Sequence, residues 1–215
     1  MKQEMKICLQ GFKLAYSILF IIILSLVRGI STYDEIGIAI VPYLAILASV
    51  FCADTYLCEW NAKRGEVFCL ISKANRKKVI IRRLFLQVIY LWTVGAVGYF
   101  LFFWQKPFHI GNRSFMQEYG CYLLVILWDV IFWSTFAMTI SNLLRNQIAG
   151  IGGSIVLWLV LYSKWGEQYF GNYNLFSYVF RDGSGDLEWV YGSMVEIVLS
   201  FLLIGMVPLI MKKRG

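Results

Sequence analysis

Residues 36–57 read IGIAIVPYLAILASVFCADTYL, a run of 22 positions that carries one charge, Asp54. The hydrocarbon core of a bilayer takes about 17–25 predominantly apolar residues per helix. This stretch qualifies, and five others qualify or nearly do: residues 14–30, 84–104, 119–140, 148–163 and 190–211. The fifth in chain order, 148–163, is the shortest. The expected fold is therefore all-α and polytopic, with six transmembrane helices. Residues 1–215 form a single membrane domain with short loops, since no stretch is polar and long enough for a soluble unit.

Composition agrees. Hydrophobic residues make up 59% and charged residues 15% of the chain, with a mean hydropathy of +0.65. A soluble domain carries about 45–50% apolar and about 25% charged residues. Aromatics at 17% fit as well, because Trp and Tyr collect where a membrane meets water.

The formal net charge of +7 could suggest nucleic acid, but its placement does not. Lys and Arg concentrate in alternate loops, which is a topogenic pattern rather than a binding stripe. Fifteen of the twenty fall at the N-terminus, in the loop after the second apolar stretch, at Arg145 and in the tail. Arg28, Lys106, Arg113, Lys164 and Arg181 fall on the other side. This asymmetry predicts a multi-pass protein of the bacterial inner (plasma) membrane with both termini cytoplasmic. The expected first helix follows Lys2, Lys6 and Lys13 without a small-residue cleavage site, so it reads as retained. The five cysteines form no C-x-x-C pair, and no structural disulfide is expected.

Ahead of the first apolar stretch, Met5, Cys8, Leu9 and Phe12 fall on one helical face. Lys2, Gln3, Lys6, Gln10 and Lys13 fall on the other. Residues 1–13 are thus expected to form an amphipathic helix lying in the inner interface; a frayed basic terminus is the alternative.

Residues 58–83 read CEWNAKRGEVFCLISKANRKKVIIRR. Val67, Phe68, Leu70 and Ile71 recur at helical spacing, flanked by Glu59, Lys63, Arg64 and Glu66, with Ser72 and Asn75 as candidate caps and breakers. Topology alone would need only the positive charges. A short helix with an apolar face suits docking into a groove of another protein.

The pattern Glu59, then Arg64-Gly65-Glu66, an apolar turn, Ser72 and Arg76 resembles the first cytoplasmic loop of type-2 permeases, the membrane subunits of ATP-binding-cassette exporters. The resemblance extends over the whole chain: an interfacial helix, six spans, a long outer loop before the last span and a short basic tail. It departs from the family where a proline commonly follows the apolar turn, since Lys73-Ala74-Asn75 stands there. The resemblance implies a coupling helix within 58–83 that touches a separate ATPase. It also implies two permease subunits, alike or different, working with two ATPase subunits that hold ATP and Mg. Glu59, Lys63, Arg64, Gly65, Glu66, Val67, Phe68, Leu70, Ile71 and Arg76 would form the coupling site.

Residues 164–189 form the long outer loop, and residues 165–180 within it contain seven aromatics. Such a segment lies at or dips into the outer interface. In the resembled family this region forms short re-entrant helices; a plain aromatic belt is the other reading. Small residues, including Ala45, Ala48, Ser49, Gly150 and Gly153, allow close helix approach. The resemblance would place them on a pathway or dimer interface, and packing within one subunit is the competing reading.

Asp54, Asp129 and Glu196 are acidic residues inside expected spans. A charge at a span's centre costs roughly 2.5–3.5 kcal/mol on insertion scales, so it seeks a partner or water. Asp54 is near a span's end and could pair with Lys63 or Arg64. For Asp129, pairing with another helix and a transport role both stand, and no Lys or Arg is expected at its depth.

No G-x-x-x-x-G-K-[ST] loop occurs, so ATP hydrolysis belongs to a partner chain, and no cofactor is expected in this one. His109 is the sole histidine, which removes His-based metal sites and Ser–His triads. Gly183-Ser184-Gly185-Asp186 matches a G-x-G-D protease motif, but in a polar loop it reads as a turn. The expected function is a permease without enzymatic activity of its own, exporting a hydrophobic or amphipathic peptide or lipid-like cargo. A membrane-embedded lipid-modifying enzyme near Asp54 and Glu59, or a non-transporting sensor or scaffold, are the alternatives.

Overall fold

A computed structural model of the chain describes residues 4, 7–61, 72–108, 115–181 and 188–213. Among them regular structure is helical throughout, with a single isolated bridge between Thr32 and Phe108. The main helices are α1 (Gly11–Val27), α2 (Tyr33–Cys52), α3 (Cys58–Asn61), α4 (Lys73–Phe102), α5 (Phe115–Leu144) and α6 (Gln147–Tyr162). Three more follow: α7 (Lys164–Phe170), α8 (Ser177–Phe180) and α9 (Val190–Lys213).

Within the described residues, α2, α4, α5 and α9 are long and apolar enough to cross a membrane. A fifth crossing results if α6 and the bent stretch after it count as one span. At 17 residues α1 is a shorter apolar helix. Helix α2 is the central element, with 72% of its apolar window buried against 28% for α9. It packs on α1, α4, α5, α6 and α8. This follows from its composition: Ala39, Ala45, Ala48 and Ser49 carry little bulk and are almost fully enclosed, so neighbouring backbones come close.

Boundaries depart from expectation where local hydrogen bonding overrides hydropathy. Helix α2 stops at Cys52 instead of running to 57, because Thr55 Oγ1 bonds the Cys52 carbonyl at 2.7 Å and the chain turns. Helix α4 begins at Lys73, so Asn75 and the basic run lie inside a 30-residue helix, and Asn75 is not a breaker. The N-terminal segment is helical around Cys8 but separated from α1 by extended Gln10. Lys13, expected on the polar face, is instead buried, because it has a carboxylate to reach, while Phe12 is 79% exposed on the outside of the bundle.

The break after α6 has a readable cause. Helices α6 and α7 meet at 70°. Ser163 Oγ donates to the Val160 carbonyl (2.7 Å) and accepts from the Gly166 N–H (3.2 Å), ending one helix and capping the next. Only glycine fits at 166, since a Cβ there would sit 2.4 Å from the Val160 carbonyl. After Gly171 (φ +48°) the chain turns inward, and Asn174, Phe176, Ser177 and Tyr178 are buried. The returning stretch Ser177–Phe180 packs on α2 and α9.

Candidate functional site

Polar side chains gather at three levels. At the basic end, the chain between α2 and α3, the N-terminal segment and the start of α4 converge on Arg83, which is buried. Its Nε and Nη2 donate to Glu4 Oε2 and Glu59 Oε1, both at 2.6 Å, and its Nη1 donates to Cys58 Sγ at 2.9 Å. Arg82 adds a 3.3 Å contact to Glu4. One turn deeper, Gln87 Oε1 accepts from Thr55 at 2.6 Å. Beside them Lys13 Nζ bonds Asp54 Oδ1 (2.5 Å) and the Phe51 carbonyl (2.8 Å), and it lies 5.1 Å from the centre of the Phe51 ring. Guanidinium and ammonium each satisfy several acceptors at once, which is what permits these charges to be buried. Burial pushes the Cys8 thiol up to about 12 and also raises that of Cys58, against the lowering pull of Arg83.

The expected coupling residues divide here. Glu59 and Arg76 are described and buried, Glu59 on Arg83 and Arg76 on the first turns of α4. Lys63, Arg64, Gly65, Glu66, Val67, Phe68, Leu70 and Ile71 lie outside the described residues, as do His109 and Gly183 to Asp186. Asp54 takes Lys13 as partner, which the sequence reading did not consider.

Midway along the bundle, Asp129 of α5 and Glu196 of α9 are fully enclosed. Asp129 Oδ1 accepts from Trp133 Nε1 at 3.0 Å, and the two carboxyl groups are within hydrogen-bonding reach of each other. Among the described residues Asp129 Oδ2 and Glu196 Oε1 receive no other donor. Both residues lie where α5 packs on α9. Of the small residues, Ala45, Ala48 and Ser49 pack inside the chain, Gly150 against Ser141 and Gly153 against Ile140.

At the aromatic end, Phe176 stacks on Trp133 (5.8 Å, 15°) and meets Trp158 and Tyr162 edge-on. Asn174 Nδ2 donates to the Leu161 carbonyl at 2.9 Å and Ser177 Oγ to the Trp189 carbonyl at 2.8 Å. Arg181 lies 4.0 Å from the Tyr178 ring centre and 3.2 Å from Glu118. Burial pushes the Tyr178 hydroxyl above its ordinary range. Gly192 of α9 is where this segment docks: a Cβ there would stand 2.1 Å from the Asn174 carbonyl.

Sequence reasoning missed Glu4, Lys13, Arg83, Trp133 and Arg181 as bonding partners. For Lys13 and Arg83 a signal existed, since each is a cation bordering an apolar stretch with an acid at similar depth. Among the described residues no three His, Cys, Asp or Glu side chains converge as a metal site would require. Compared with known proteins, the chain matches no family model, no curated protein and no solved structure.

Proposed function

We propose that this chain is the membrane subunit of an ATP-driven exporter of the type-2 permease kind. Two such subunits, alike or different, would enclose the path, and two separate ATPase subunits would dock on the loop between α3 and α4. In this reading α1 and α6 also cross, giving six spans with both termini cytoplasmic, and the basic end faces the cytoplasm. The cargo would be a hydrophobic or amphipathic peptide or a lipid-like molecule, in keeping with a bundle whose few charges are paired.

The observation that carries the reading is the Arg83 bridge. Glu59 in α3 and Arg83, in the third turn of α4, flank the stretch between these helices, and the two side chains are bonded at 2.6 Å. A force applied between them reaches α2, α4 and, through Glu4, the N-terminal segment together. Rigid transmission of that kind is what alternating access needs when chemistry occurs on another chain.

The test is partner capture. The tagged chain is co-expressed with the cassette ATPases of its own genome and purified. Wild type is expected to bring down one ATPase, and Phe68→Asp, which puts a charge on the expected docking face, to lose it. Absence of any ATPase from the wild-type preparation would overturn the proposal.

A further inference from the structure

Pro42 lies inside α2, yet the helix runs on from Tyr33 to Cys52. Proline has no N–H, so the Ile38 carbonyl lacks its usual helical donor, and the ring crowds the turn between them. Gly37, next to Ile38, adds backbone freedom at the same place. Helices bend at such positions. Residues 37–42 are therefore the soft turn of the central helix.

The return at 174–180 touches both sides of this turn. On one side Tyr178 lies against the α2 backbone, since a Cβ at Gly37 would stand 2.7 Å from the Tyr178 Oη. On the other, Trp158 Nε1 of α6 donates to the Pro42 carbonyl at 2.7 Å, and Phe176 meets the Trp158 ring edge-on (6.4 Å, 76°). Indole has a single donor, and here it crosses to a neighbouring helix. The half of α2 towards the basic end is held separately. The Phe51 carbonyl accepts from Lys13 at 2.8 Å, and the Phe51 ring stacks on Tyr90 at 5.5 Å. We propose that the return is a splint for α2, fixing the bend at residues 37–42. When it shifts, residues 33–41 swing as a unit while residues 43–52 stay with the basic end. The device depends on these contacts alone and stands apart from the transport reading.

The experiment is amide hydrogen exchange, read by mass spectrometry on the full-length protein in detergent. Two variants disturb the splint from outside α2. Trp158→Phe keeps a ring but removes the donor, and Gly192→Ala pushes on the Asn174 carbonyl, which a Cβ there would approach to 2.1 Å. Each is expected to speed exchange over residues 33–41 about three- to tenfold, the range that one hydrogen bond supports. Over residues 43–52 the change should stay within about twofold. Adding Pro42→Ala restores the missing N–H, so it should cancel the rise over 33–41 in both backgrounds. Contacts that merely stabilise the bundle would instead speed exchange along all of α2, and Pro42→Ala would not cancel it. That pattern would overturn the splint, as would unchanged exchange over 33–41 in Trp158→Phe or in folded Gly192→Ala. If Gly192→Ala does not yield helical, monodisperse protein, Trp158→Phe with and without Pro42→Ala decides alone by the same criteria.

Discussion

The two ends of the bundle are held by different physics. At the basic end a few charged groups do the joining: Arg83 ties Glu4, Glu59 and Cys58 together, and Lys13 ties α1 to Asp54. At the aromatic end one ion pair, Arg181–Glu118, borders the buried return at 174–180, but the return itself is fixed mainly by rings packed around Phe176 and by single hydrogen bonds from Asn174 and Ser177. Charge pairs are directional and lose nearly everything when one member goes. Ring contacts are each worth about 0.5–1.5 kcal/mol beyond area burial and share the load. The first arrangement suits an end that must move as one piece, and the second an end that can loosen by degrees.

The largest effect expected from breaking this contrast is at Arg83. Arg83→Ala leaves Glu4 and Glu59 without their cation and should cost about 3–5 kcal/mol, read as a lowered melting temperature of the detergent-solubilised protein. A loss under about 1 kcal/mol would mean that the bridge carries no weight. At the other end, Phe176→Leu should cost less, about 1.5–3 kcal/mol, because it loses the ring pairings with Trp133, Trp158 and Tyr162 but keeps an apolar side chain in place. A cost equal to that of Arg83→Ala would erase the distinction between the ends.

The Lys13–Asp54 pair sharpens the argument further. Lys13→Met alone strands a partly buried carboxylate and should be destabilising, whereas Lys13→Met with Asp54→Leu should return to within about 1 kcal/mol of wild type. Denaturation of the three proteins in one detergent checks this. The smallest effect concerns reactivity. With its thiol pushed up to about 12 from 9.0, Cys8 stays protonated in the folded chain. Its contribution to stability is complete below about pH 9 and lost as pH rises from 9 towards 12. Maleimide labelling at pH 8 should therefore be slow in wild type and accelerate in Arg83→Ala, where the N-terminal segment is released.

Hydropathy made most of the helices legible. The expected 148–163 and 190–211 differ from α6 and α9 by one or two residues at their ends. Polar chemistry inside the membrane was less so. Asp129, Asp54 and Glu196 stand out in the sequence as exceptions, but their partners depend on how helices rotate against one another, which one-dimensional spacing does not encode. The burial of Lys13 arises from the same source: a tertiary ion pair draws in a side chain that the pattern of residues 1–13 placed on the polar face. Gly166 and Gly192 looked like ordinary glycines because the backbones they admit are distant in sequence or folded back on themselves.

The most direct test of the account combines capture with turnover. The ATPase that co-purifies with wild type is assayed in proteoliposomes with wild type, Phe68→Asp and Arg83→Gln. The account predicts that wild type binds the ATPase and changes its hydrolysis rate, that Phe68→Asp does neither, and that Arg83→Gln binds but leaves the rate at that of the ATPase alone. If Arg83→Gln binds and alters hydrolysis as wild type does, the bridge is not the transmitting element. If no ATPase is captured by wild type, the permease reading itself is wrong.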